Sequence, residues 1–125
     1  MPDYNEYPPI KGDRTLSQGF IAQYAAEAAL SVSGVAKLDT GLVVSLKEAL
    51  GAEHYGKGVR VRFDRQDSAV VNIDVYPIMY YGYILPDVAW AVQEKIKSDV
   101  EEYTGLSVNE VNVQVMGVVE EGAEL

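Results

Sequence analysis

Val59-Arg60-Val61-Arg62-Phe63 and Val71-Asn72-Ile73-Asp74-Val75-Tyr76 alternate apolar and polar residues, and Asp64-Arg65-Gln66-Asp67-Ser68 lies between them. Alternation with a period of two marks a strand with one buried face, and the polar stretch is a turn, so this segment is a β-hairpin. Register follows from keeping Val61 and Phe63 on one face with Val71, Ile73 and Val75. Setting Phe63 opposite Val71 and Val61 opposite Ile73 does this, and it also places Arg60 opposite Asp74 on the other face. A slip by two residues keeps the same faces and is the competing register.

Helical periodicity flanks the hairpin. Upstream, Ile21, Tyr24, Ala25, Ala28, Ala29 and Val32 recur at helical spacing after Ser17, a good N-cap, and Gly34 is a stop signal. The alanines of this helix allow close approach to a sheet. Downstream, Pro86 starts a second helix whose stripe is Leu85, Val88, Ala89, Val92, Ile96, Val100 and Tyr103, and Gly105 is suited to cap its C-terminus. Val111-Asn112-Val113-Gln114-Val115 is a further alternating strand, parallel beside the Val71 strand or antiparallel beside the Val59 strand. The fold class is therefore α+β, with two helices on one face of a small three- to four-stranded mixed sheet in the order helix, (strand), hairpin, helix, strand. Arg60, Arg62, Asn72, Asp74, Asn112 and Gln114 fall on the open face. Between Val35 and Lys57 the pattern is ambiguous: Leu42 to Leu46 reads as a strand, and Ser45 to Leu50 equally as a short helix. The organisation reads as a tail over 1–13, one domain over 14–119 and an acidic end over 120–125.

Composition excludes several function classes. The 125 residues suit one domain and contain no cysteine, so there is no disulfide framework, thiolate zinc site, iron–sulfur cluster or cysteine nucleophile. Ten basic against 19 acidic residues give a net charge of −9, the wrong sign for neutralising phosphates or adsorbing to an anionic bilayer. Nucleic acid and direct membrane insertion are thus not expected, and Met1 to Arg14 lacks the apolar core of a secretory signal.

Chemistry-bearing motifs are weak. Gly51 to Gly58 nearly spells a phosphate-binding loop, but Gly58 stands where a magnesium-holding hydroxyl belongs, a strand follows instead of a helix, and Glu53 would repel phosphate. His54, the single histidine, has no zinc-site spacing around it and reads as an exposed loop residue. Asp64, Asp67 and Asp74 cluster at the hairpin without a calcium-loop pattern. No catalytic, metal or cofactor residue is assigned.

Two features point to contacts with proteins. Met79-Tyr80-Tyr81-Gly82-Tyr83 concentrates aromatic rings where the chain turns into the second helix, either capping the core edge or forming a contact patch. Trp90 lies roughly 140° from the middle of the second helix's apolar stripe at about 100° per residue. It shares that side with Gln93, Lys97 and Glu101. A tryptophan among charges is either sheltered by the N-terminal tail or part of an interface. Trp90, Tyr80, Tyr81 and Tyr83 are the candidate interface residues.

Tyr81-Gly82, Ile84, Val88-Ala89, Val92-Gln93, Ile96-Lys97, Val100-Glu101, Thr104-Gly105-Leu106, Val108, Val111-Asn112-Val113, Val115 and Gly117-Val118 form a long spaced pattern. It resembles the alkaline shock proteins, the envelope stress response proteins of Gram-positive bacteria. The first helix with Ser33-Gly34-Val35, and Gly58-Val59 at the hairpin start, extend the resemblance over about residues 15 to 119. The resemblance implies a non-enzymatic cytoplasmic protein of cell-envelope homeostasis that self-associates as a homo-oligomer. It also implies protein partners, among them a membrane-spanning anchor protein that holds it at the inner face of the membrane. Alternatives are a soluble regulator of an enzyme of membrane lipid synthesis, and a small enzyme or ligand-binding domain built on His54.

Overall fold

The computed structural model describes residues 16–40, 54–56 and 58–122, with 54–56 described by their backbone alone. Helix α1 (Gln18–Leu30) starts where expected: the Ser17 hydroxyl accepts a hydrogen bond from the Phe20 N–H at 3.1 Å. Its alanines Ala22, Ala25, Ala26, Ala28 and Ala29 are buried with Ile21. After a turn at Ser31 to Gly34 come β1 (Val35–Leu38), β2 (His54–Gly56), β3 (Val59–Phe63), β4 (Val70–Val75) and β5 (Pro77–Tyr80). Helix α2 (Leu85–Thr104), β6 (Ser107–Val113) and β7 (Gly117–Val119) complete the order.

The hairpin forms in the expected register, not the slipped one: Phe63 faces Val71, Val61 faces Ile73 and Arg60 faces Asp74. Of the two placements open to the last long strand, β6 takes the parallel one beside β4. Both helices pack on the same face of this sheet, α1 over β2 and β3 and α2 over β6, burying Val59, Val61, Val71, Ile73 and Val75.

The expectation of one sheet is corrected. There are two mixed sheets, one of four strands in the order β2-β3-β4-β6 and one of three in the order β1-β5-β7. The physical reason is Pro77. Strand β4 is central, and proline has no N–H for a central ladder, so the chain leaves that sheet at Tyr76 and begins another. Strand β6 follows the same bend into β7, tied to the turning chain by Gln114 N–H to Val75 O at 3.0 Å and Met116 N–H to Pro77 O at 2.8 Å. The second sheet is completed by β1, which pairs antiparallel with β5 through Val35, Lys37 and Leu38, with an irregularity at Ala36.

Tyr103 is a second correction. It was placed in the buried stripe of α2, yet it is 60% exposed, and the buried residue at that turn is Thr104, whose hydroxyl donates to the Val100 carbonyl. Tyr103 instead stacks on Tyr24 with ring centroids 5.4 Å apart, on the outside of the α1–α2 contact. The buried positions of this helix recur every four residues from Val88 through Val100 to Thr104, which leaves Tyr103 on the flank of the stripe. Of the remaining stripe, Val88, Val92, Ile96 and Val100 are buried, and Leu85 and Ala89 are half-buried against the core.

The open face of the four-stranded sheet is polar but closed on itself. Asp74, 8% exposed, accepts two hydrogen bonds of 3.0 Å from Arg62 and one of 2.8 Å from Asn112, with Arg60 at 3.6 Å. Asn72, also 8% exposed, accepts from the Asn109 amide at 3.1 Å. Arg60 and Arg62 are therefore engaged by a carboxylate rather than displayed for phosphates.

The tail over 1–13 and the ambiguous segment Leu42 to Leu50 lie outside the described residues.

Candidate functional site

Trp90 is set on the outer side of α2 and is 61% exposed. Gly105 takes φ +76°, a left-handed conformation that glycine adopts without steric cost, and turns the chain at the end of α2. Strand β6 then runs back along the helix. The pairing of side chains shows the direction: Glu101 and Lys97 reach Val108, while Gln93, nearer the helix start, reaches Val111. Helix and strand thus form the two walls of a groove of about 640 Å3. Its helical wall carries Trp90, Gln93, Glu94, Lys97, Ser98 and Glu101, and its strand wall runs from Val108 to Val111.

Strand β6 is an edge strand, paired with β4 on one side only. Unpaired N–H and C=O groups on such an edge invite an added strand. Here side chains of α2 bond three of them. Gln93 donates to the Val111 carbonyl at 3.0 Å, Lys97 donates to the Val108 carbonyl at 2.9 Å, and Glu101 accepts from the Val108 N–H at 2.9 Å. Lys97 and Glu101 are joined at 3.0 Å. The edge is therefore guarded by side chains, and the groove presents an indole and aliphatic surface rather than free backbone.

Glu101 carries a shifted titration. Partial burial acts to raise its pKa, but the Val108 N–H and the Lys97 ammonium both favour the charged form and together hold it below the ordinary 4.5. A carboxyl with a depressed folded-state pKa stabilises the fold above its unfolded pKa and loses that contribution as pH falls through the folded value. Glu101→Gln will therefore lower Tm at neutral pH. The gap to the native protein will narrow below pH 4.5 as Glu101 itself becomes neutral. Thermal melts of both proteins across that range check the sign; a gap that widens in acid contradicts it.

The tyrosine segment separates into parts. Tyr80 closes β5 and is half-buried, with its N–H donating to the Gly34 carbonyl at 2.8 Å. Tyr83 lies over Gly34, whereas Tyr81 is 69% exposed and Ile84 is exposed beside it. None of these tyrosines lines the Trp90 groove, so the four candidates do not form one patch. Asn109 and Glu110, on the strand wall, were not singled out from the sequence. The signal available for them was the short Gly105 turn, which returns the chain along the exposed side of α2.

The other motifs resolve differently. His54 belongs to strand β2, opposite Val61, and not to a loop; its side chain lies outside the described residues. A strand at this point accounts for the misreading, because the glycines around it suggested a connector. Asp64 accepts from the Gln66 and Asp67 N–H groups and Asp67 from the Ala69 N–H, so both shape the hairpin turn. Among the described residues, no three His, Asp or Glu side chains converge as a metal site would need. No described helix is long and apolar enough to cross a membrane.

A family model described as having a cell envelope-related function matches residues 6–120. The chain belongs to the alkaline shock protein 23 family. Two relatives of this family protein come from Bacillus subtilis strain 168. YqhY is 37% identical over 94 residues, covering 75% of this chain and 67% of its own. YloU is 35% identical over 109 residues, covering 86% and 88%. Among solved structures, a MamM CTD in its manganese form aligns with a TM-score of 0.47 at 16% identity, over 81% of this chain and 99% of that one. The family match extends over both helices and all seven strands, so the groove belongs to the alkaline shock protein 23 domain itself.

Proposed function

We propose that this alkaline shock protein 23 family member is a non-enzymatic adaptor or scaffold of the cell envelope, acting from the cytoplasmic side through contacts with proteins. The observation that carries the reading is Trp90, a large ring left exposed beside a groove where side chains of α2 bond the backbone of Val108 and Val111. Tryptophan is enriched among residues that dominate interface energetics, and nothing in the fold needs it outside the core. A net charge of −9 disfavours direct adsorption to an anionic bilayer, so attachment to the membrane runs through an anchor protein. Self-association uses the exposed Tyr81 and Ile84 corner, which lies apart from the groove.

Trp90→Ala tests the reading. Because the side chain is exposed, stability should change by no more than about 0.5 kcal/mol. Crosslinking and mass spectrometry in the native host should nonetheless show loss of the principal partners, and cell fractionation should show loss of the membrane-associated pool. An unchanged partner set and an unchanged distribution would remove Trp90 from the interface. Recovery of a soluble metabolic enzyme as the dominant partner would replace the scaffold with a regulator.

A further inference from the structure

Resting on the reading of the Trp90 groove as a protein interface, we infer that its occupant is a basic segment of a partner protein that inserts an apolar side chain against the indole. The charge of the groove is the reason. Lys97 and Glu101 are paired with each other at 3.0 Å and with the β6 backbone, so they cancel. Glu94 on the helical wall and Glu110 on the strand wall are exposed, and neither makes a hydrogen bond or ion pair among the described residues. Two carboxylates without a partner among the described residues therefore border a groove whose strand wall includes the apolar Val108 and Val111.

An acidic partner would bring like charges onto these carboxylates, whereas lysines or arginines would meet a carboxylate on each border of the groove. The net charge of −9 favours the same encounter at long range. An added β-strand is disfavoured, because it would have to displace Gln93, Lys97 and Glu101 from the edge they guard. Recognition thus runs through side chains: cations at Glu94 and Glu110, and an aliphatic or aromatic group beside Trp90.

The sole tryptophan makes the test direct. A labelled peptide in which lysine and arginine alternate with leucine and phenylalanine is titrated with the full chain, following peptide anisotropy and Trp90 emission. The expected result is saturable binding with a shift in Trp90 emission. It weakens as salt is raised, and by about tenfold in the Glu94→Lys, Glu110→Lys double variant. A second peptide with glutamate in place of every lysine and arginine should not bind. Equal binding of the two peptides, undiminished affinity in the double variant, or binding that leaves Trp90 emission unchanged would overturn the inference. Partner capture that still depends on Trp90 under those outcomes leaves the interface standing and removes only the basic occupant. Capture unchanged in Trp90→Ala removes the interface itself.

Discussion

Gly34→Ala will be among the most destabilising single substitutions in the turns of this protein, with a loss of about 2–5 kcal/mol. Two costs add. Gly34 has φ +101°, a region that costs an L-residue about 1–2 kcal/mol. A Cβ at this position would also lie 2.7 Å from Cγ2 of Val88 and 3.1 Å from the Tyr83 ring. Val88 is buried and β-branched on a helix, so it has little rotamer freedom with which to yield, and overpacking of this kind costs roughly 1–3 kcal/mol. At roughly 4 °C per kcal/mol for a domain of this size, Tm should fall by about 8–20 °C. Gly82→Ala supplies the control. Gly82 has φ +94° but open space where the Cβ would go, so it should show the backbone cost of about 1–2 kcal/mol alone. Equal losses in the two variants would mean that the approach of α2 to Gly34 is looser than described.

The second large effect belongs to Asp74. Its carboxylate binds Arg62 through two hydrogen bonds and also takes Asn112 and Arg60. Removing it in Asp74→Ala leaves a guanidinium and an amide without their acceptor in a mostly dry position. Breaking a fully buried pair costs about 3–5 kcal/mol, and the partial exposure of both arginines reduces this to about 2–3 kcal/mol. Asp74→Asn keeps the volume and one acceptor oxygen and should cost less. A double-mutant cycle with Arg62→Ala, read by denaturant unfolding, should give a coupling above about 0.5 kcal/mol. Strict additivity would show that the contact contributes nothing to stability.

These two sites show where local pattern suffices. Arg60 opposite Asp74 belonged to one of the two registers that keep five apolar residues on one face, and the structure takes that one. The shorter and better-aligned partner of Asp74 is Arg62, which lies diagonally across the strands; side-chain reach and sheet twist decide that, and neither is visible in alternation. Trp90 was legible for the same reason as the buried stripe: helical phase puts it opposite Val92 and Ile96 whatever surrounds the helix. The groove beside it was not, because its second wall, Asn109 and Glu110, is brought up only by the return of β6 along α2. The strands β1, β5 and β7 were also illegible. Each is three or four residues long, too short for periodicity to mark, and each exists because its neighbours supply hydrogen-bond partners.

By itself the sequence determined the two described helices with their start and stop signals, the hairpin down to two registers, the outward phase of Trp90 and the family. Each of these depends on interactions within about one turn of helix or between adjacent strands. Only the tertiary structure decided that Pro77 divides the strands into two sheets, that Tyr103 turns outward over Tyr24, and that side chains of α2 occupy the free edge of β6. Those outcomes depend on groups distant in the chain competing for the same space and the same hydrogen bonds, and no local pattern records who wins.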